Sequence, residues 1–334
     1  MKSPNLTMEK TRHSPARFGA IIWDMNCLRI LALNCALLCA AAGYAGVAAP
    51  DRDGAQGWRH AKLSGHANED RIEHLLLGDR AAQEKFLARI GRNGRSIVSV
   101  SGGGLGEAHV PSVFGPGEMT TPKADMYVKL DDGETVTFSI KKSLAGQVYL
   151  VTIENFIKAY EGNFGPIPDV VKRGIALYWG SAADVQSVID RFGTCRELES
   201  RKHRIVAETM RRFDKDVHDA FLKWFVRNAG NLSELCFARG GAKDPKDWAQ
   251  YVWYRNELGE TSVDAIFKVS DVCAAVSKEA ERLTAFGEVN GGSTIQLPFG
   301  FVQWHSPQKT IPGSIQFHHK YKCVRAIVPP DKVR

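Results

Sequence analysis

The sequence has no two cysteines in C-x-x-C spacing: its seven fall at Cys27, Cys35, Cys39, Cys195, Cys236, Cys273 and Cys323. Scattered in this way they offer neither a zinc cage nor a dithiol redox motif, and buried free thiols are the simpler account. Also missing are the G-x-S-x-G elbow of a serine hydrolase, an internal repeat and any low-complexity tract. The run Gly102-Gly103-Gly104-Leu105-Gly106 follows a strand-like stretch, but no Gly-Lys-Ser/Thr succeeds it and Pro111 opposes a helix there. That argues against a nucleotide phosphate loop.

Acidic residues are slightly outnumbered, 37 Asp and Glu against 44 Lys and Arg, for a formal net charge of +7. Residues 1–50 hold five basic side chains and two acidic ones, so +3 of that charge is theirs and the body is only mildly basic. Such a balance leans toward a polyanionic partner without demanding one. The 44% hydrophobic content over 334 residues suffices for one large domain or two ordinary ones. Disorder and a small disulfide-stapled fold are excluded.

One long run is free of charge, residues 30–49, preceded by a basic stretch and closed by small residues. It has the tripartite look of an export signal. A single membrane anchor is the second reading, weakened by Asn34, Gly43, Tyr44 and Gly46. A translation start nearer Val47 is the third. Residues 1–50 are therefore expected to be a leader outside the fold, with cytoplasmic and exported or anchored locations both open.

Beyond a polar linker the apolar residues Ile72, Leu75, Leu76, Phe86, Leu87 and Ile90 recur at helical steps around Gly78-Asp79, predicting two short helices. Residues 96–101 read as a strand. Residues 124–130 alternate, with Ala124, Met126, Val128 and Leu130 opposite Asp125, Tyr127 and Lys129; residues 134–141 alternate again after Asp131-Asp132-Gly133. This predicts a β-hairpin with one apolar face and a polar face that gathers Asp125, Ser139 and Lys141. A helix with the stripe Ile153, Phe156, Ile157, Tyr160 follows. Residues 57–162 are thus expected to form the core that carries the chemistry, residues 163–290 a mainly helical region, and residues 291–334 a C-terminal β segment with strands over 294–303 and 314–327.

A carboxylate on one strand and a lysine on the next suit metal-dependent phosphodiester hydrolysis, because the carboxylate holds a divalent cation and the lysine reaches the attacking water or the phosphate. On Ala124-Asp125 and Ser139-Ile140-Lys141 the sequence resembles the restriction-endonuclease-like PD-(D/E)-x-K nucleases. Ala124 replaces the usual Pro and Ser139 the usual acid. A subgroup of type II restriction enzymes has Ser-x-Lys with the missing carboxylate displaced to a Glu on the following helix, and Glu154 stands at that spacing from Lys141. Members often add a Glu on the preceding helix, where Glu69 lies.

The resemblance implies an α/β fold with a mixed central sheet flanked by helices, here with a helical insertion and a C-terminal β segment. It implies a Mg²⁺-dependent endonuclease of double-stranded DNA, with Asp125, Glu154 and Glu69 as metal ligands, Lys141 at the water and Ser139 behind them. A homodimer and a cognate DNA methyltransferase would be its partners. Competing accounts exist residue by residue: Asp125 with Lys141 as a cross-strand pair, Glu154 with Lys158 as a surface pair, and Glu69 as a helix-start acid. A non-cleaving DNA-binding protein on a degenerate nuclease fold, and an exported or anchored protein of other activity, are the alternatives. The glycine-rich loop at 102–106, the basic segment 238–243 and the strand residues His318, His319 and Lys320 are further candidates for DNA contact; as neighbours on a strand, His318 and His319 should face opposite ways.

Overall fold

The chain is described by a computed structural model over residues 54–102, 108–193, 205–259, 262–288, 291–305 and 314–334, with side chains from Ser64 onward except that of His305. It divides into a unit ending at Gly57 and a unit from Trp58 to Arg334, which carries the sheets and their cores. The leader and most of the glycine-rich loop fall outside the described residues. No helix among those residues is long and apolar enough to cross a membrane.

Two helices open the fold, α1 (Gly54–Gly78) and α2 (Arg80–Arg89), the latter capped by Asp79, whose side chain accepts from the Ala82 N–H at 3.1 Å. The first is one long helix that begins within the expected linker. Strand β1 (Ile97–Gly102) follows, then a small ribbon of β2 (Val110–Pro111) and β3 (Met119–Thr120), and then the predicted hairpin of β4 (Met126–Leu130) and β5 (Thr135–Lys141). The hairpin turns at Gly133, whose φ of 88° is open to glycine at little cost.

The hairpin sits inside a five-stranded sheet of order β1-β4-β5-β7-β8, completed by β7 (Tyr251–Arg255) and β8 (Asp264–Lys268). β5 and β7 run parallel and every other neighbour antiparallel, so the sheet is mixed. Met126, Val128, Val136, Phe138, Ile140, Tyr251 and Trp253 bury one face against Ile72, Leu76, Phe86 and Leu87 of α1 and α2, with Phe86 stacked on Trp253 at 5.0 Å. The opposite face gives Val252, Tyr254, Ala265 and Phe267 to the larger core. The expected mixed central sheet flanked by helices is the architecture observed.

Two of its strands come from residues expected to be helical. β7 is buried on both faces, so it shows a continuous apolar and aromatic run with no alternation for a period-two reading to catch. After β5 the chain also enters a strand absent from the expectation, β6 (Ala145–Thr152), before the expected helix, α3 (Ile153–Phe164). Helices α4 (Asp169–Tyr178), α5 (Val185–Phe192), α6 (Ala207–Phe213), α7 (Lys215–Arg227) and α8 (Ala229–Glu234) make the helical region, and α9 (Val269–Leu283) follows β8.

β6 belongs to a second, antiparallel sheet of order β6-β12-β11-β10-β9, with β9 (Ala285–Phe286), β10 (Thr294–Leu297), β11 (Gly300–His305) and β12 (Ser314–Lys320). The last strand ends at Lys320; Tyr321–Ile327 is a short helix, α10, so the expectation of strand to 327 is corrected. Tyr321, Val324 and Ile327 recur every three residues and all pack on the core, a helical spacing that alternation does not describe.

Asn68 joins α1 to the central sheet. Fully buried, it donates through Nδ2 to the Arg255 carbonyl at 3.1 Å and accepts the Glu257 N–H at 2.7 Å. Asn68→Ala strands both backbone groups and is expected to cost about 2–3 kcal/mol, read as a lower urea midpoint at unchanged slope.

Candidate active site

The hairpin delivers its polar groups to one point. Asp125, one residue before β4, keeps the ladder going by donating its N–H to the Phe138 carbonyl at 2.8 Å. Its Oδ2 accepts from the Ile140 N–H at 2.7 Å, from Ser139 Oγ at 3.1 Å and from Lys141 Nζ at 3.4 Å. Lys141 Nζ donates also to Ser139 Oγ at 2.6 Å and to the Ile140 carbonyl at 3.1 Å. Ser139, 1% exposed, thus passes its proton to the carboxylate and its lone pair to the lysine. It locks the pair in register. Among the described residues no donor meets Asp125 Oδ1, and the side chain is 23% exposed.

Glu69 arrives from α1. It lies well inside that helix, not at its start, so the favourable field of a helix N-terminus does not account for it. Its side chain is 15% exposed, with His66 Nδ1 3.5 Å from Oε2. Burial first, then the neighbouring Asp125, push its carboxyl up to about 8, with Lys141 pulling the other way. Glu69 therefore keeps its proton below about pH 8 in the metal-free chain.

Glu154 is not brought to this cluster. It stands in the first turn of α3, 76% exposed, with its carboxylate 2.7 Å from Lys158 Nζ. Between it and the hairpin runs the whole of β6, eight residues that extend about 26 Å at about 3.3 Å each. The displaced-acid role expected of Glu154 is corrected to that of a surface i, i+4 pair. Glu154→Gln is expected to leave any Mg²⁺-dependent cleavage within about twofold of wild type, measured as an initial rate.

Two neighbours join this site that sequence reasoning does not assign to it. Lys123, two residues before Asp125 in the bend that leads into β4, donates to the Val148 carbonyl and lies 4.9 Å over the Tyr149 ring; burial, and then Lys141, lower it to about 8. The period-two pattern of residues 123–130 contains the signal for it. His319 of β12 is 2% exposed, hydrogen-bonded to Tyr254 Oη at 3.0 Å and held down to about 3 by burial and by Lys141. His318 faces the other way, as strand geometry requires, and stacks on Phe301 at 4.5 Å.

The basic segment 238–243 is packed, contrary to the expectation of a DNA-facing loop. The Arg239 guanidinium binds Glu234 and lies 4.1 Å over Trp248, and a Cβ at Gly241 would meet the Phe114 ring at 2.3 Å. Lys243 alone in it is exposed.

As a cation site the cluster is all oxygen. Among the described residues no group of three or more His, Cys, Asp or Glu side chains forms a cage. Two carboxylates and the Ile140 carbonyl would leave a cation mostly hydrated, which suits Mg²⁺ and not zinc.

No protein-family model matches the sequence, and no curated protein matches it. Among solved structures, a crystal structure of the restriction endonuclease MspI in complex with its cognate DNA is similar at 12% identity, over 80% of this chain and 93% of that one, with a TM-score of 0.46.

Proposed function

We propose that the chain is a Mg²⁺-dependent endonuclease of double-stranded DNA, acting as a type II restriction enzyme in the cytoplasm. The observation that supports this most is the asymmetric setting of Asp125: three donors hold Oδ2, among the described residues Oδ1 is left without one, and Glu69 and Lys141 stand beside it. A cross-strand surface pair needs no such third partner and no buried second carboxyl.

Asp125 and Glu69, with the Ile140 carbonyl, would hold the cation, whose charge would displace the proton that burial keeps on Glu69. Bound there, Mg²⁺ supplies Lewis-acid polarisation of the phosphate and a more acidic water. Lys141, fixed by Ser139 and the Ile140 carbonyl, positions the attacking water or the scissile phosphate and offsets the charge that develops on it. Ser139 keeps Lys141 and Asp125 in register. A palindromic target would call for a homodimer, and a cognate DNA methyltransferase would protect the cell's own DNA. By the resemblance, in-line attack leaves a 5′-phosphate and a 3′-hydroxyl. Re-ligation of the products by DNA ligase without added kinase tests this; products that need phosphorylation first contradict it.

The remoteness of Glu154 favours a second reading, a DNA-binding protein that does not cleave. It predicts salt-sensitive binding and no product with Mg²⁺ or Mn²⁺.

A further inference from the structure

The five strands of the second sheet contain not one Asp or Glu, in a chain where about one residue in nine is acidic. Their inward side chains, among them Ile295, Val302, Trp304, Ile315 and Phe317, belong to the core. The outward positions of β12, half-buried Ser314, Gln316, His318 and Lys320, alternate with these. Across the neighbouring strands the same face carries an amide ladder. Gln303 Nε2 donates to Gln316 Oε1 at 3.0 Å and lies 3.3 Å from His318 Nε2, which leaves its Oε1 for a ligand, and Gln316 Nε2 donates to Gln147 Oε1 at 2.8 Å. Beside it Phe301 stacks on His318, with Lys320 Nζ 5.0 Å over the same ring.

This sheet follows the candidate active site directly along the chain. Three residues separate Lys141 from β6, whose Ala145, Gly146 and Gln147 pair with Lys320, His319 and His318. Within that stretch His319 turns inward toward Lys141 while His318 and Lys320 turn outward.

The chemistry of the ladder matches base edges. A glutamine amide has two N–H donors and two lone pairs. Gln316 commits one of each to its ladder bonds and, among the described residues, keeps one of each, the combination that adenine N6 and N7 require in the major groove. The ladder bonds hold the amide in place before any ligand arrives, which removes part of the ordering cost of recognition. A carboxylate-free face with a lysine on it is complementary to a polyanion and would repel nothing on the duplex.

We propose that the outward face of the second sheet reads the base edges of double-stranded DNA, with Gln316 and Gln303 as the reading residues and Lys320 on a phosphate. The proposal rests on the nuclease reading for its choice of duplex DNA as the occupant.

The test is selection of duplexes from a random-sequence library by the full chain in Ca²⁺, followed by titration of the selected and of a random duplex. Wild type, Gln316→Ala, Gln303→Ala and Gln316→Glu are compared after their thermal unfolding is shown to match. The wild type should enrich a shared sequence containing adenine. Each alanine variant should lose preference at one or two positions and bind the selected duplex about 5- to 100-fold more weakly, with random-duplex affinity unchanged. Gln316→Glu should weaken both. Unchanged selection and affinity in all three variants, or no enrichment by the wild type, overturns the proposal. Wild-type cleavage in Mg²⁺, measured alongside, separates the two ideas. Cleavage with selection that the variants do not alter sinks the reading face alone; selection that they do alter, with no cleavage in Mg²⁺ or Mn²⁺, sinks the nuclease reading alone.

Discussion

Lys141→Ala is expected to lower Mg²⁺-dependent cleavage of duplex DNA by about 10²–10⁴-fold while the chain stays folded. The ammonium makes its hydrogen bonds within the hairpin itself, to Asp125, Ser139 and the Ile140 carbonyl, so its loss removes no link to another element. What it removes is the cation that, among the described residues, contacts the carboxylate. Lys141→Met keeps the stem packed and should be as inactive as the alanine variant, which separates the charge from the packing. Lys141→Arg should not rescue, because a planar fork does not fit between an Oγ at 2.6 Å and a carbonyl at 3.1 Å. Single-turnover rates beside urea midpoints decide the matter; a rate in Lys141→Met within tenfold of wild type would remove Lys141 from the chemistry.

Glu69→Gln is expected to do two things at once, abolish cleavage and stabilise the metal-free chain at alkaline pH. The carboxyl rises from an ordinary value of 4.5 to about 8 on folding. Between those values the folded chain binds more protons than the unfolded one, so this group's contribution is complete below about pH 4.5 and is lost as pH rises toward 8. Gln carries no such penalty. The variant and wild type should therefore unfold alike near pH 4.5 and diverge above it, by up to a few kcal/mol at pH 8, at about 1.4 kcal/mol per pH unit. Saturating Mg²⁺ should raise the wild-type midpoint at pH 8 and close the gap, and should leave Glu69→Gln nearly unmoved. Urea unfolding at pH 4.5, 6.5 and 8, with and without Mg²⁺, reads all of this. Equal midpoints at every pH would show that Glu69 is not buried against Asp125.

The hairpin is legible in the sequence because its apolar face is buried and its other face is polar, so alternation survives in residues 124–130 and 134–141. α3 is legible for the same reason in the helical period. β7 and β8 are not, since strands buried on both sides carry no alternation, and the pairing of β7 with β5 joins residues more than a hundred positions apart. The composition of the site divides in the same way. Asp125, Ser139 and Lys141 share one hairpin, so local spacing brings them together. The choice between Glu69 and Glu154 does not depend on spacing: it depends on β6 carrying the chain away from the hairpin and on Asn68 tying α1 to the end of β7. No local pattern encodes either. Lys123 has the right register, but a lysine on a mixed polar face carries no mark of burial.

The most direct measurement is cleavage of a supercoiled plasmid by purified wild type and Asp125→Asn, each in Mg²⁺ and in EDTA. With Asp125 as the oriented ligand of a hydrolytic centre, the wild type cuts in Mg²⁺ and not in EDTA, and Asp125→Asn, folded to the same midpoint within about 1 kcal/mol, cuts in neither. Cleavage by Asp125→Asn at the wild-type rate, or none by the wild type in either Mg²⁺ or Mn²⁺, would contradict it.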